Sequence, residues 1–440
     1  MAFVPRLDYS LFKNRRKQVI NFLKQEYPDL KKGLVILFAD FETQRHLFRQ
    51  ESSFYYLTGI TEPGAIFCMY FDGRQELYLP NYGGVRERWT TTFLSDQEPK
   101  ESLATKIGVT KIKQLGKSCN SYFFSPVFTR DKYANFLNDL HLFLQNSIDT
   151  NIEVFTLLDG MGARYFSQIN IYKNLLDLFA QLENITNDLA PLVHYLRRFK
   201  SEYEIDLIYK AVQITSLAHQ AASKIIMPGR IEHEVQAVVE SVFTQIGANG
   251  PAFPSIIASG KNTTVLHYTK KDKELLSNEL LVVDVGAQYA YYAADLTRTY
   301  PVNGRFNKRQ LEVYNIVLQT QVYIETIAKP GMYLNNSQYP DKSLQHLALT
   351  FLEKMGYAKY FTHGIGHFLG LDVHDVGDNI YPLSAGDIFT IEPGIYIPQE
   401  NLGVRIEDNY LMTDDGVVCL SYQLPRKAEE VEQLMIEELE

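Results

Sequence analysis

The segment 281–300, LVVDVGAQYAYYAADLTRTY, places two carboxylates inside sequence that is otherwise typical of buried strands. Its two arms are apolar and rich in β-branched residues, which predicts a hairpin with its turn centred in 288–291. Such a turn pairs Asp284 directly with Asp295. Directly opposed side chains have Cβ atoms about 4.5–5.5 Å apart, and like charges there destabilise a sheet. The two aspartates therefore predict a cation between them, and a metal ion is the natural candidate.

A second segment, TIEPGIYIPQENLGVRIEDNY, repeats this arrangement near the C-terminus. Glu392 and Glu407 lie at equal distances from the middle of PQEN, so a hairpin that turns there pairs them. Between the two hairpins, THGIGHFLGLDVHD carries His363, His367 and His374, in the stretch of the chain that is densest in histidine. If the three segments meet, four carboxylates and at least one imidazole converge.

The ligand types in these segments indicate which metal they suit. Oxygen-rich sets with one nitrogen favour Mn²⁺ and similar divalent ions, and carboxylates that can bridge indicate two ions rather than one. A single structural zinc ion would need more sulfur or nitrogen. Cysteine ligation is not expected, because Cys68, Cys119 and Cys419 are widely separated and no CxxC motif is present.

Composition and charge exclude several classes of protein. A chain of 440 residues predicts two or three domains. A formal net charge of -9 without a basic stripe argues against a nucleic-acid partner. We find no apolar run of eighteen residues and no apolar segment after the basic start, so we expect neither a membrane partner nor secretion. The odd, unpaired cysteines fit a reducing compartment, which predicts a cytoplasmic location.

Two domains are predicted, and only the second concentrates potential ligands. Residues 1–187 alternate strands and helices, which indicates an α/β domain without catalytic residues; its AIFCMYFDGRQELYLP segment predicts a hairpin with a type I′ turn at Asp72-Gly73. In residues 188–440 a helix pair followed by a carboxylate hairpin occurs twice. Ser201 and Glu204 form a capping box at the start of the first helix. This order predicts an internal two-fold repeat with a metal site at its axis.

These residues make the chain resemble the pita-bread metallopeptidases, a family that includes methionine aminopeptidase, prolidase and aminopeptidase P. The resemblance is strongest to the aminopeptidase P branch, and it implies a two-domain α/β protein whose C-terminal pita-bread domain is catalytic. FRQESSFYYLTGITEPGAIFCMYFDG is similar to the N-terminal domain found in aminopeptidase P and prolidase. The segments similar to the family's metal and substrate sites are NTTVLHYTKKD, LLVVDVGAQYAYYAADLTRTY, THGIGHFLGLDVHDVG, FTIEPGIY and GVRIEDNYLMTDDG.

The resemblance also implies a role for each site residue. It implies that Asp284 binds one metal ion and that His367 and Glu392 bind the other. Asp295 and Glu407 would bridge both ions. Glu392 would also act as general base. The remaining matches are three substrate-site histidines and a supporting arginine: His267, His363, His374 and Arg405. The implied reaction is hydrolysis of the N-terminal Xaa-Pro bond of peptides by a hydroxide that bridges two divalent ions, with Mn²⁺ favoured.

Several alternatives stay open at this stage. Glu407 and Arg405 are two residues apart on a predicted strand, so they share a face and could form a plain ion pair. A prolidase, which cleaves Xaa-Pro dipeptides, has the same five ligands. A non-catalytic binding protein could use the same fold, although the complete ligand set argues against it. The sequence also leaves open whether the protein forms a homo-oligomer.

Overall fold

The computed structural model describes residues 8–43, 47–90, 94, 100–145, 151–158 and 164–436. These residues form two compact units, the first ending at Leu196 and the second beginning at Arg197. No helix within the described ranges is both long enough and apolar enough to span a bilayer.

The first unit is built on a mixed six-stranded sheet in the order β4-β3-β2-β1-β5-β6. Its strands are β1 (Lys32–Phe38), β2 (Ile66–Tyr70), β3 (Gln75–Leu79), β4 (Lys111–Gln114), β5 (Ile152–Thr156) and β6 (Thr186–Asp188). Its helices are α1 (Tyr9–Glu26), α2 (Ser52–Thr58), α3 (Lys100–Ile107), α4 (Ala134–Gln145), α5 (Phe166–Leu178), α6 (Leu182–Ile185) and α7 (Ala190–Arg198), the last of which contains the division between the units.

Helices α4 and α5 cover one face of this sheet. Apolar residues at helical spacing, among them Phe136 and Leu140 on α4 and Leu175 on α5, are buried against β1 residues such as Ile36. Each such side chain contributes about 1.5–3 kcal/mol when it is fully buried. The expected α/β organisation of the first domain is confirmed, with its core between this sheet and these helices.

The β2–β3 hairpin forms as expected, but its predicted type I′ turn is wrong. Met69 pairs with Gln75, which leaves a longer loop than the two residues of a type I′ turn. The Gly73 N–H donates to the Tyr70 carbonyl at 3.0 Å. In this loop only Gly73 has a positive φ, of 96°, whereas a type I′ turn requires two such residues in succession.

The second unit repeats a helix pair followed by antiparallel strands. Its helices are α8 (Glu202–Ser223), α9 (Glu232–Ile246), α10 (Lys308–Ile327), α11 (Leu344–Lys354) and α12 (Ala428–Ile436). The strands of the first repeat are β7 (Gly250–Pro251), β8 (Ile256–Ser259), β9 (Leu280–Val285), β10 (Ala287–Tyr289), β11 (Tyr292–Ala293) and β12 (Leu296–Pro301). Those of the second are β13 (Ile388–Ile391), β14 (Gly394–Ile397), β15 (Leu402–Arg405), β16 (Asp408–Thr413) and β17 (Gly416–Cys419).

Each repeat places its carboxylates beside a three-stranded antiparallel sheet. The sheet orders are β12-β9-β8 in the first repeat and β13-β16-β17 in the second, and β14 pairs separately with β15. The predicted capping box of α8 is present, with the Ser201 N–H donating to Glu204 Oε2 at 3.0 Å. The order of elements thus follows the predicted two-fold repeat.

Candidate metal centre

The Glu392 and Glu407 hairpin has the predicted register. Gly394 pairs with Arg405 in β14–β15, and the same register holds between β13 and β16. Glu392 and Glu407, which lie between these two pairs of strands, therefore face each other. The loop between them is PQEN, and its last residue, Asn401, takes the left-handed conformation with φ 52°.

The first hairpin turns one residue later than predicted. Ala290 and Tyr291 form the turn with φ values of 47° and 76°, and Asp284 pairs with Thr297 rather than with Asp295. The predicted direct pair is therefore wrong. A one-residue shift of the turn moves each partner by two residues, and side chains two apart on a strand share a face. Asp284 and Asp295 consequently still reach one cavity.

Two glycines allow the ligand-bearing segments to approach closely. A Cβ added to Gly286 would lie 1.8 Å from the Ala294 carbonyl oxygen, and one added to Gly366 would lie 1.9 Å from the Thr390 carbonyl oxygen. Neither contact is possible for a larger residue without moving the backbone. Gly366 thereby allows the segment that carries His367 to lie against the strand that leads to Glu392.

All nine residues predicted for the site line one cavity of about 540 Å³. These are His267, Asp284, Asp295, His363, His367, His374, Glu392, Arg405 and Glu407. The same cavity has an apolar wall, which consists of Phe253, Pro254, Ile256, Leu266 and Val373. Of these, the sequence points to Phe253 alone as a position near the substrate. The cavity therefore combines an acidic floor with an apolar side that suits the uncharged parts of a ligand.

His367 stands among the carboxylates. Its Nε2 lies 3.4 Å from Asp295 Oδ2, 3.6 Å from Glu392 Oε1 and 4.0 Å from Glu407 Oε1. Its Nδ1 is 3.1 Å from the Phe368 carbonyl. Because a carbonyl only accepts, Nδ1 is the donor in this contact; in the neutral tautomer with its proton on Nδ1, Nε2 has a lone pair that faces the acidic groups. A metal-binding histidine needs this tautomer.

The acidic floor fits a cation. Ligand atoms of Asp295, His367 and Glu407 all lie within 4.8 Å of one another. Asp284 Oδ1, Asp295 Oδ1 and Glu407 Oε1 are buried without a hydrogen-bond partner, although a buried charge normally requires pairing. These oxygens and one imidazole nitrogen form a donor set of the kind that Mn²⁺ and similar ions prefer.

The same crowding changes the proton affinity of the carboxyl groups. Burial, followed by the charges of Asp284 and Glu392, raises the pKa of Asp295 well above its ordinary value. Burial and the charges of Asp295, Glu392 and Asp284 do the same to the pKa of Glu407. Burial also raises the pKa of Glu392, against the opposing effects of His367 and Arg405. These shifts reflect burial and the mutual repulsion of the carboxylates, which Arg405 and His367 only partly offset.

Arg405 pairs with Asp284, not with Glu407 as the plain ion-pair alternative requires. Its Nη2 lies 2.6 Å from Asp284 Oδ2, whereas Glu407 Oε2 accepts a hydrogen bond from Thr297 Oγ1 at 2.7 Å. Each of these two carboxylates thus uses one oxygen in a protein contact and keeps the other directed into the cavity without a partner.

Tyr396 is a site residue that sequence reasoning missed. Its hydroxyl accepts from Arg405 Nη1 at 2.9 Å and lies 2.8 Å from His363 Nε2. His363 Nδ1 donates to the Gly364 carbonyl at 2.8 Å, and burial together with the charge of Arg405 lowers the pKa of His363 to about 4. His363 is therefore neutral near pH 7. Tyr396 could have been found from the strand period, since it stands four residues after Glu392.

The other two predicted histidines are more exposed. The ring of His374 lies 4.2 Å from that of His367, measured between centroids. Burial and the neighbouring imidazoles of His367 and His267 lower the pKa of His374 to about 4. His267 lines the cavity at its apolar side, directly after Leu266.

Comparison with known proteins identifies the family. The model of metallopeptidase family M24 matches residues 206–414, and that of the aminopeptidase P N-terminal domain matches residues 12–123. The Xaa-Pro aminopeptidase of Haemophilus influenzae is 30% identical to this chain and aligns over 99% of both proteins. This chain belongs to metallopeptidase family M24.

Other M24 proteins share its two-domain architecture. The structure of Escherichia coli aminopeptidase P with the inhibitor Pro-Leu superposes with a TM-score of 0.81 and 26% identity, and the match covers 98% of this chain and 99% of that one. The Xaa-Pro dipeptidase of Pyrococcus furiosus is 36% identical, but over only 66% of this chain and 78% of its own length. The predicted pita-bread metallopeptidase fold, closest to the aminopeptidase P branch, is confirmed.

Proposed function

We propose that this M24 member is an Xaa-Pro aminopeptidase, which releases the first residue of peptides that carry proline in the second position. The proposal rests on one observation above all: five metal-ligand candidates converge in one cavity, and three of their buried oxygens lack a partner. The alignment with an Xaa-Pro aminopeptidase over almost the whole chain supports the substrate class.

Two divalent ions, with Mn²⁺ favoured, would be held by Asp284, Asp295, His367, Glu392 and Glu407. Such ions supply a hydroxide near neutral pH and polarise a carbonyl group. Glu392 lies between His367 and His363, at 3.6 Å from a nitrogen of each. Its raised pKa brings it closer to the working pH, which suits a group that takes and returns a proton.

Arg405 orients rather than reacts. It donates to both Asp284 and Tyr396, so it fixes one ligand and, through the tyrosine, His363. His267 and His374 are the more exposed histidines of the cavity, where they would lie near the proline ring of the substrate. Acidic groups beside the ions would receive the free α-amine, which explains an exopeptidase rather than an endopeptidase.

Domain roles and location complete the proposal. Residues 188–440 would form the catalytic domain and residues 1–187 a domain without catalytic residues. Cys68, Cys119 and Cys419 are all free, which supports a reducing, cytoplasmic location. Peptides are the proposed partners, without a nucleic-acid or membrane partner, and a homo-oligomer remains open to measurement by sedimentation.

The test compares three substrates at one pH with one metal: an Xaa-Pro tripeptide, the matching Xaa-Ala tripeptide and the Xaa-Pro dipeptide. We expect kcat/KM for the Xaa-Pro tripeptide to exceed that for Xaa-Ala by about 100-fold, or ~2.7 kcal/mol. A Glu392→Gln preparation serves as the control for contaminating peptidases. Equal values for proline and alanine would refute proline selectivity. Hydrolysis confined to the dipeptide would assign a prolidase instead, and metal binding without any hydrolysis would assign a binding protein.

A further inference from the structure

The two residues proposed to bind both ions lie on different hairpins. Asp295 immediately precedes β12 of one three-stranded sheet, and Glu407 immediately precedes β16 of another. The hairpins meet through an isolated antiparallel bridge between Thr297 and Glu407. In this bridge the Thr297 N–H lies 3.4 Å from the Glu407 carbonyl, and the Glu407 N–H lies 3.1 Å from the Thr297 carbonyl.

Side chains extend this bridge in both directions with the same register. Asp295, two residues before Thr297, is bound by a side chain in place of a strand partner. The Oδ1 of Asn409 accepts from the Asp295 N–H at 3.1 Å, and the Nδ2 of Asn409 donates to the Asp295 carbonyl at 2.5 Å. Two residues after Thr297, the Thr299 hydroxyl accepts from the Arg405 N–H at 3.1 Å and donates to the Arg405 carbonyl at 2.9 Å. We call these three pairs of contacts the ladder.

Arg298 holds the central pair of the ladder. Its Nη1 donates to the carbonyls of both Thr297 and Glu407, at 2.9 and 2.8 Å. Its Nη2 pairs with Asp408 Oδ1 at 2.7 Å, and neither side chain is exposed to solvent. The carbonyls of Leu424 and Pro425 take the remaining donors. All five guanidinium N–H groups are thus engaged.

We infer that Asn409 and Arg298 are positioning residues, which hold the backbones of Asp295 and Glu407 at the spacing that two metal ions require. The inference rests on the proposed function. Two ionised carboxylates repel each other when no cation lies between them, and ligands must stay within about 0.5 Å of their working positions. The Thr297–Glu407 bridge alone would not stop the backbone of Asp295 from moving away from Glu407. The two hydrogen bonds of the Asn409 amide to that backbone prevent this movement.

The test uses Asn409→Ala, which removes one pair of ladder contacts, and Arg298→Lys, which keeps the charge beside Asp408 but not the fork that reaches both carbonyls. Asn409→Asp is a near-isosteric second variant in case the alanine protein does not fold. It keeps an acceptor for the Asp295 N–H but places a carboxylate oxygen against the Asp295 carbonyl. Thermal unfolding of each apoprotein checks that it is folded.

Two buried groups elsewhere provide matched controls. Gln50 in the first unit also joins two backbone groups, as its Oε1 accepts from the Asp40 N–H at 2.7 Å and its Nε2 donates to the Glu62 carbonyl at 3.1 Å. Arg198 forms a buried fork with Asp387 at 2.7 and 2.6 Å. Gln50→Ala and Arg198→Lys therefore lose equivalent buried contacts without touching the ladder.

Calorimetric titration of each apoprotein with Mn²⁺ is the first measurement, and kcat and KM on an Xaa-Pro tripeptide are the second. For the Asn409 and Arg298 variants we expect the dissociation constant of the weaker ion to rise by about tenfold or more and kcat to fall by a similar factor. KM should change little. The controls should lower the unfolding temperature but bind two ions with wild-type affinity.

The outcomes separate this inference from the proposed function. Wild-type protein that never binds two ions would refute the proposed function and, with it, the inference. Wild-type protein that binds two ions, alongside folded Asn409 and Arg298 variants that bind them equally well, would refute the inference alone. It would also be refuted if the Gln50 and Arg198 controls lost metal affinity to the same extent, because the effect would then reflect general loss of stability.

Discussion

Two clusters of buried or partly buried acidic side chains, one in each unit, differ in how their charge is compensated. In the first unit, Lys113 Nζ lies 2.9 Å from Glu76 Oε2 and 2.8 Å from Asp139 Oδ2, and the Tyr78 hydroxyl lies within hydrogen-bond distance of both carboxylates. In the second unit, oxygens of Asp295 and Glu407 are buried without a partner. A lysine completes the first cluster, whereas in the second Arg405 pairs with Asp284 alone, which leaves the other carboxylates as candidates to bind an added cation.

The contrast shows that the meeting of carboxylates does not by itself mark a metal site. In the first cluster burial tends to lower the pKa of Lys113, but hydrogen bonds to Asp139 and Glu76 raise it above its ordinary value, so the lysine stays charged. In the second cluster the shifts fall on the carboxyl groups, whose pKa values rise. Between these two clusters, the distinguishing feature is the set of buried carboxylate oxygens without hydrogen-bond partners in the second.

The largest expected effect is that of Glu407→Ala. We expect kcat/KM on an Xaa-Pro tripeptide to fall by about 10⁴-fold or more, or ~5.5 kcal/mol, together with loss of bound metal. A carboxylate shared by two cations offsets their repulsion, and alanine cannot. Glu76→Ala, in the cluster completed by lysine, is the matched control and should retain activity and metal. Full activity in Glu407→Ala would remove the distinction between the clusters.

Glu392→Gln should separate proton transfer from metal binding. We expect kcat to fall by about 10²–10³-fold, because an amide cannot take the proton that a general base takes. Metal content, measured after dialysis, should fall much less, since the amide oxygen can still serve as a ligand. Near-normal turnover would contradict the role of general base, and complete loss of metal would reduce Glu392 to a ligand.

Stability of the apoprotein should fall as pH rises, and saturating Mn²⁺ should remove that slope. Groups with raised pKa values hold protons in the folded state that the unfolded chain releases. Their contribution is therefore greatest below the ordinary Glu value of 4.5 and is lost as pH rises through the raised values. Mn²⁺ at 100 times the dissociation constant of a site should add about 2.7 kcal/mol for each ion bound.

Thermal unfolding across pH, with and without Mn²⁺, measures this effect. The difference between the two slopes isolates the metal centre from titrating groups elsewhere. Parallel slopes would mean that the acidic cluster is already compensated within the chain, like the cluster around Lys113.

The smallest expected effect tests the compensated cluster. Lys113→Met should lower the free energy of unfolding by about 2 kcal/mol, because it leaves Glu76 and Asp139 without their cation. Lys117→Met, whose ion pair with Asp131 is 70% and 72% exposed, should cost less than about 0.5 kcal/mol. Denaturant unfolding measures both. Neither variant should lose metal or activity, and a fall in metal affinity in Lys113→Met would contradict the separation of the two clusters.

Sequence patterns predicted the four candidate carboxylate ligands and one of the two hairpin registers, and the family resemblance added His367. The PQEN loop contains proline and asparagine, which mark a turn, and its centre places Glu392 opposite Glu407 as observed. The other turn lies in QYAYY, where no glycine, proline or asparagine marks its position. Ala290 and Tyr291 take positive φ values that are uncommon for such residues, so the predicted pairing of Asp284 was wrong by two residues. The prediction that Asp284 and Asp295 share a face of the sheet was nevertheless right, because side chains on a strand alternate between faces every residue and return to the same face every two.

The tertiary structure alone decided which carboxylate oxygens are compensated within the chain. Arg405 reaches the carboxylate of Asp284 and Thr297 that of Glu407 across 121 and 110 positions of sequence. Asn409 reaches the backbone of Asp295 across 114 positions. Contacts over such distances leave no periodic pattern in the sequence, because each depends on how the two repeats pack rather than on either strand. For the same reason the ladder could not be predicted, although every candidate ligand of the proposed metal centre could.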